Sequence, residues 1–173
     1  MTEDEFSQLY AASQPRLVRA VYAVTGDLGE AQDVVSETFV RAWTKRRTLG
    51  DVDAPEAWLR TVALRLAVSR WRRARTSAAA WRRHGPPPDV PGLSPDSVAL
   101  VAALQRLPDA QRVVTVLHYL YDLPLEQIAV ETSTSLGSVK SRLFRARSAL
   151  APLLDDSLHD PTPEEPRVRT APR

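Results

Sequence analysis

LPDAQRVVTVLHYLYDLPLEQIAVETSTSLGSVKSRLFRARSAL, residues 107–150, is where the fold declares itself. The segment reads as helix, turn, helix. Leu136, Val139, Leu143, Ala146 and Leu150 recur at spacings of three and four, which puts them on one buried stripe of a helix. Ser138, Ser141, Arg142 and Arg145 fall on the opposite side, Lys140 and Arg147 flank them, and no acid interrupts the face. Ser135 is expected as the N-cap, its hydroxyl able to accept one of the orphan amide protons of the first turn. A helix with an apolar back and a basic, hydroxylated front, entered through a turn from a shorter helix, is what a helix-turn-helix places in a DNA major groove. The competing reading is a helical hairpin whose basic face is only solvated. Ser133 stands in the turn where a glycine is often found.

Composition bounds the rest. A chain of 173 residues with 43% hydrophobic content holds one ordinary domain or two small ones. Cysteine is absent, which excludes a disulfide framework, a thiol nucleophile and cysteine-ligated zinc. No apolar run approaches the roughly 20 residues needed to cross a bilayer, and no charged-then-apolar leader is seen, so the expectation is a cytoplasmic protein without membrane insertion. His84, His118 and His159 are scattered, and no Ser/His/Asp set, glycine-rich phosphate loop or paired-carboxylate site stands out. Neither an enzyme nor a cofactor or metal is expected. Net charge is only +2, but its arrangement is polarised. Residues 1–40 carry seven acids against two arginines, and residues 41–83 carry twelve basic residues against three acids. Such separation suggests different partners for different faces.

The predicted class is all-α, with two small helical domains joined by a flexible Pro-rich linker. Residues 1–75 form the first domain, 76–96 the linker, 97–154 the second domain and 155–173 a disordered tail. The linker, TSAAAWRRHGPPPDVPGLSPD, contains five prolines and no sustained periodicity. The tail is polar and Pro-rich. In the first domain Gly26 is expected to stop a helix. Asp27 followed by Glu30 makes a capping-box-like start for the next, over residues 28–47. Ala31, Val34, Val35, Thr38, Phe39 and Ala42 are its apolar face. Asp53, with Pro55 and Glu56 in the first turn, opens a long helix from Pro55 to about Arg75.

Two surfaces of the first domain invite a functional reading. Opposite the apolar stripe of helix 28–47 lie Asp33, Ser36, Glu37, Val40 and Thr44, with Arg41 beside them. An exposed valine among acids fits a docking surface for a partner helix, although an ordinary solvent face remains open as a reading. The helix from Pro55 becomes basic almost all round at Arg70, Arg72, Arg73 and Arg75, with Trp71 interleaved. Arginine with tryptophan is the chemistry that single-stranded nucleic acid requires, cations for phosphates and flat apolar partners for unstacked bases. The alternative is a core tryptophan at a solvated helix end.

Taken together the pieces resemble a group IV, or extracytoplasmic-function (ECF), bacterial sigma factor, most of all the SigE-like actinobacterial group. The resemblance covers nearly all of residues 4–154. TGDLGEAQDVVSETFVRAW resembles region 2 of the family and PEAWLRTVALRLAVSRWRR its DNA-melting helix. LPDAQRVVTVLHYLYDLPLEQIA followed by SLGSVKSRLFRA resembles region 4. It implies a dissociable initiation subunit whose partners are core RNA polymerase, through the clamp coiled coil of the largest subunit and the flap region, promoter DNA, and an anti-sigma factor. Asp33, Ser36, Glu37, Val40, Arg41 and Thr44 are then expected on the polymerase. Arg60, Arg65, Ser69, Arg70, Trp71, Arg72 and Arg73 are expected at the melted −10 strand. Ser138, Lys140, Ser141, Arg142 and Arg145 are expected on the −35 duplex. The runner-up is a stand-alone helix-turn-helix regulator of duplex operators. The chain departs from the family's pattern at Arg65 and Ser69, where many members carry Asn and Asp. It departs again at Glu131 and Thr132, where leucines are usual.

Overall fold

The computed structural model describes residues 1–76 and 95–158; the expected linker and tail fall almost entirely on residues outside these ranges. Every regular element described is a helix, four in each half. They are α1 (Glu3–Thr25), α2 (Leu28–Thr44), α3 (Arg46–Leu49), α4 (Pro55–Thr76), α5 (Pro95–Gln105), α6 (Asp109–Tyr119), α7 (Leu125–Thr132) and α8 (Leu136–Leu158).

Local chemistry explains the boundaries. Thr2 and Glu5 cap α1 reciprocally: the Glu5 amide donates to the Thr2 hydroxyl at 3.2 Å and the Thr2 amide to the Glu5 carboxylate at 2.7 Å. Gly26 ends α1 in the left-handed conformation (φ 74°), its amide bonding to the Tyr22 carbonyl. Asp27 then accepts from the Glu30 amide at 3.0 Å and starts α2. The helix expected over 28–47 stops at Thr44, because Lys45 leaves helical geometry. Leu49, buried in the one-turn helix α3, draws the chain back to the core. Helix α4 begins one position beyond the expected Asp53 cap: the carbonyl of Ala54 accepts the first amides, from Ala57 and Trp58. Ser135 caps α8 through the Ser138 amide at 3.2 Å. Helix α8 runs past the boundary expected at residue 154, with Leu153 and Leu154 half-buried on the core.

Helices α1, α2 and α4 pack around Leu17, Val21, Val24, Val34, Val35, Leu59, Ala63 and Ala67. In the second domain α5, α6, α7 and α8 enclose Leu104, Val114, Leu117, Ile128, Val139, Leu143 and Ala146. The buried apolar residues of both domains form one continuous cluster, because α1 also packs on α5 and α6. The α6 residue Arg112 secures that junction while being only 1% exposed. Its guanidinium donates to the carbonyls of Val24 (2.6 Å), Leu104 (2.9 Å), Gln105 (3.1 Å) and Leu107 (2.8 Å), and to the Gln105 side-chain oxygen at 3.0 Å. The carbonyls of Val24, Leu104 and Gln105 lie at the C-terminal ends of α1 and α5, where helix dipoles favour a cation, and that of Leu107 lies in the turn after α5. Gln105 adds bonds of its own to the carbonyls of Ala23 and Val24. A Cβ on Gly26 would meet its side chain at 3.0 Å, so glycine suits this position for both its φ and its size.

Ser133 bears the strain its position in the turn implied, with φ 53° and ψ 47° between α7 and α8. Left-handed backbone at a non-glycine residue costs about 1 kcal/mol. Ser133→Gly is therefore expected to stabilise the chain by about 0.5–1 kcal/mol, read as a raised urea midpoint at unchanged slope. Arg112→Met takes the guanidinium donor from the Gln105 and Leu107 carbonyls and is expected to destabilise the chain by roughly 3 kcal/mol in the same titration.

Candidate nucleic-acid interface

On α2, Asp33, Ser36, Val40, Arg41 and Thr44 are exposed along one face, Val40 at 64%. Glu37 sits among them half-buried, held by Arg41 one turn along and by Arg70 from α4. Tyr10 and Trp43 extend the apolar part of this face. Tyr10 packs on Phe39, and Trp43 stacks edge-on with Phe6 at 5.0 Å beneath the Arg46 guanidinium. The sequence expectation names Val40 as the apolar member of this face. Trp43, three residues further along the same helix, was the available signal.

The seven residues expected on the melting helix divide by angular position. Arg60, Leu64, Ala67 and Trp71 recur at spacings of four and three on the stripe of α4 turned toward the second domain. Arg60 is 6% exposed and bound to Glu131 of α7, its Nε 2.9 Å from the carboxylate. In this arrangement it is an interdomain contact rather than a surface cation. Trp71 is half-buried under the Arg112 guanidinium, 4.5 Å from the ring centroid. Arg70 turns to α2, where it pairs with Glu30 and Glu37. Arg72 reaches Asp109 at 2.9 Å across the domain boundary. Arg65 and Arg73 are exposed and Ser69 is half-exposed.

On α8, Lys140 and Arg145 are exposed, Ser138, Ser141 and Arg142 partly so. Arg145 donates to the Ser141 hydroxyl at 2.7 Å, and the Ser138 and Ser135 hydroxyls lie 2.9 Å apart. Phe144 stands beside them, 71% exposed. An aromatic ring left in water next to Ser141 and Arg145 suits contact with a thymine methyl group. The sequence expectation for this face names only polar residues and omits it.

Of the two basic surfaces, expected on separate modules, four residues of the first and Arg142 of the second line a common groove, together with the acids Asp109 and Glu131. A groove of about 510 Å³ opens between α4 and the second domain, with Arg65, Ser69, Arg72 and Arg73 on one wall, Arg142 on the other, and Val113 in its lining.

The first domain and the helix-turn-helix match, in order, the families described as Sigma-70 region 2 (residues 9–77) and Sigma-70, region 4 (residues 97–150). The chain is 33% identical over 159 residues to the probable ECF RNA polymerase sigma factor SigI of Mycobacterium tuberculosis, with 83% of this chain and 53% of SigI covered. It is also 33% identical over 159 residues to the ECF sigma factor SigL of that organism, with 81% and 90% covered. It thus spans about half the length of the first relative and most of the second. Its fold is similar to that of the sigma factor RpoE from Bartonella quintana, solved in complex with the anti-sigma factor NepR. That match has a TM-score of 0.72 at 25% identity and covers 87% of this chain and 97% of RpoE. The chain belongs to the extracytoplasmic-function sigma factors, a family of transcription initiation factors rather than enzymes. No helix among the described residues is long and apolar enough to cross a membrane.

The Glu37 node has a pH signature. Burial pushes its carboxyl up, but hydrogen bonds and charge from Arg41 and Arg70 outweigh that and hold it below the ordinary value of 4.5. Arg70 is correspondingly raised: its burial is outweighed by Glu30 and Glu37. A depressed carboxylate contributes stability that is present above its unfolded pKa and lost as pH falls through the folded one. Glu37→Gln is expected to lower stability at neutral pH. Unfolding curves of variant and native chain should converge as pH drops below about 4.5, and a gap constant from pH 7 to 3 would contradict the assignment.

Proposed function

We propose that this chain binds core RNA polymerase, directs it to a two-part promoter, and stabilises the opened −10 strand. Residues 1–75 supply polymerase docking and −10 capture, and residues 97–154 supply −35 reading. The observation that carries this is the pair of basic helix faces, one on each half, each attached to a domain matching the corresponding sigma region in the family's order.

The roles follow from side-chain chemistry. Asp33, Ser36, Val40, Arg41 and Thr44 form the docking face on α2, joined by Trp43, and Glu37 orders it through Arg41 and Arg70. An exposed valine and tryptophan among charges provide an apolar anchor with a polar rim, as helix-binding surfaces do. Arg65, Ser69, Arg72 and Arg73 meet the backbone of the unpaired strand. Trp71 offers a flat face to a base taken out of the stack once its contact with Arg112 is released. Ser138, Lys140, Ser141, Arg142 and Arg145 contact the −35 duplex, with Phe144 adding an apolar contact. Phosphate neutralisation supplies much of the affinity and base edges the selection. Arg60, expected on the same strand, is paired with Glu131 in this arrangement. An anti-sigma partner is proposed by analogy with RpoE, which was solved with NepR bound.

Run-off transcription from a library of promoters, with core polymerase lacking its own sigma subunit, tests the reading. Transcripts from defined starts only when both components are present are expected. Arg145→Ala should lower output from −35-dependent promoters at least tenfold while leaving affinity for core unchanged. No transcripts and no stable complex with core, together with tight duplex binding by the free chain, would move the assignment to a stand-alone duplex-binding regulator.

A further inference from the structure

The arginines in the C-terminal half of α4 do not share one side of the helix. Arg65, Ser69 and Arg72 follow one another at spacings of four and three, and Arg73 lies one turn beyond Ser69, so these four share the side that lines the groove. Leu59, Ala63, Leu66 and Arg70 make a second stripe at spacings of four, three and four. Leu59 and Ala63 are fully buried and Leu66 packs on the core, so this stripe is the one α4 turns to the rest of the first domain. Arg70 is its last member, placed where that core gives way to the surface of α2.

What Arg70 meets there is a row of acids. Glu30, Asp33, Glu37 and Arg41 recur along α2 at spacings of three, four and four, which puts three carboxylates and one guanidinium on one side of the helix. Carboxylates at these spacings repel one another. Arg70 Nη1 donates to Glu30 at 3.3 Å, and Nη2 donates to Glu37, which also takes the Arg41 guanidinium from within α2. Arg70, Glu30 and Glu37 are each half-buried. A planar fork with donors on both arms holds two carboxylates at once, whereas a lysine ammonium is a single point of charge. To reach a phosphate, Arg70 would have to leave both acids uncompensated beside Asp33.

The bridge acts one step further out. Arg41 is exposed on the docking face, and its partner Glu37 has little freedom while Arg70 grips it, so Arg41 is steadied as well. Ordering one long charged side chain on binding weakens an interface by roughly two- to tenfold, a loss that a face ordered in advance avoids.

We infer that Arg70 is a positioning residue for polymerase docking: from the proposed strand-capturing helix it fixes Glu37, and through Glu37 Arg41, in the arrangement that a partner helix meets, and it is not one of the phosphate contacts. This rests on the docking reading above and adds to it a residue of α4, with Glu30 as the second anchor.

The full-length chain has no native cysteine, so Ala149→Cys, exposed on α8, takes a fluorophore for titration with core polymerase. Core affinity is measured for Arg70→Met, Arg70→Lys, Glu30→Gln and the Arg70→Met, Glu30→Gln pair, each confirmed as folded by circular dichroism at the assay temperature. Arg70→Met should weaken core binding about tenfold, and Arg70→Lys, which keeps the charge but not the fork, about threefold. Glu30→Gln lies outside the proposed docking residues. It should weaken binding about threefold alone and not at all in the Arg70→Met background, because it acts only through Arg70.

Holoenzyme formed at saturating core should bind single-stranded −10 DNA, from a promoter chosen by run-off transcription, equally well with Arg70→Met and with the native residue. A lost phosphate contact would instead reduce the slope of log K against log salt by about 0.7. In the free chain, nuclear magnetic relaxation of the Arg41 Nε–H group should show lower order in Arg70→Met. Unchanged or tighter core binding in Arg70→Met, equal losses from Glu30→Gln with and without Arg70, a salt slope reduced by a full contact, or unchanged Arg41 order overturns the assignment. Failure of the native chain to bind core would count against the docking reading, while the relaxation measurement still decides whether Arg70 orders Arg41.

Discussion

Arg112 is the side chain on which the rest of the structure depends. A guanidinium buried to 1% exposure is tolerable only if nearly every donor finds an oxygen, and the oxygens here come from the ends of two helices in two different domains and from the turn after the second of them. Helix ends are where backbone carbonyls go unsatisfied, so one cation completes α1 and α5 while bonding them together. Its flat face covers Trp71 as well, which links the domain junction to the helix proposed to hold the opened strand.

That economy has a functional consequence. Arginines that a nucleic-acid reading assigns to phosphates are partly engaged within the chain: Arg60 on Glu131, Arg70 on Glu30 and Glu37, Arg72 on Asp109. The modules are not loose. They are packed, and the charges proposed to read DNA help to pack them.

Much of the fold was legible because local chemistry dictates it. The stripe Leu136, Val139, Leu143, Ala146 and Leu150 lines α8 as its spacing requires, and Gly26, Asp27 and Ser135 act as the caps their side chains suit. The misjudged boundaries have tertiary causes. Burial of Leu49 turns the chain after Thr44, and Leu153 and Leu154 carry α8 beyond residue 154 by packing on the core. For the candidate surfaces, periodicity separated the two sides of each helix but not what each side would meet. Arg60 shares a stripe with Leu64, Ala67 and Trp71, so it went inward with them although its side chain is that of a surface residue. Phe144 went outward although its side chain is that of a core residue.

An all-α chain in two sigma-like halves, and which residues share each helix face, were written in the order of amino acids, since helical period, capping and turn chemistry act over a few residues and need no neighbour. How the halves meet was not. The bonds from Arg112 to Val24 and from Arg60 to Glu131, and the contact of the Arg16 guanidinium with the Tyr121 ring, join residues 71 to 105 positions apart. Whether a given arginine faces water, a carboxylate or a ring is settled only when another helix arrives, because the desolvation that makes such a contact strong does not exist until the domains close.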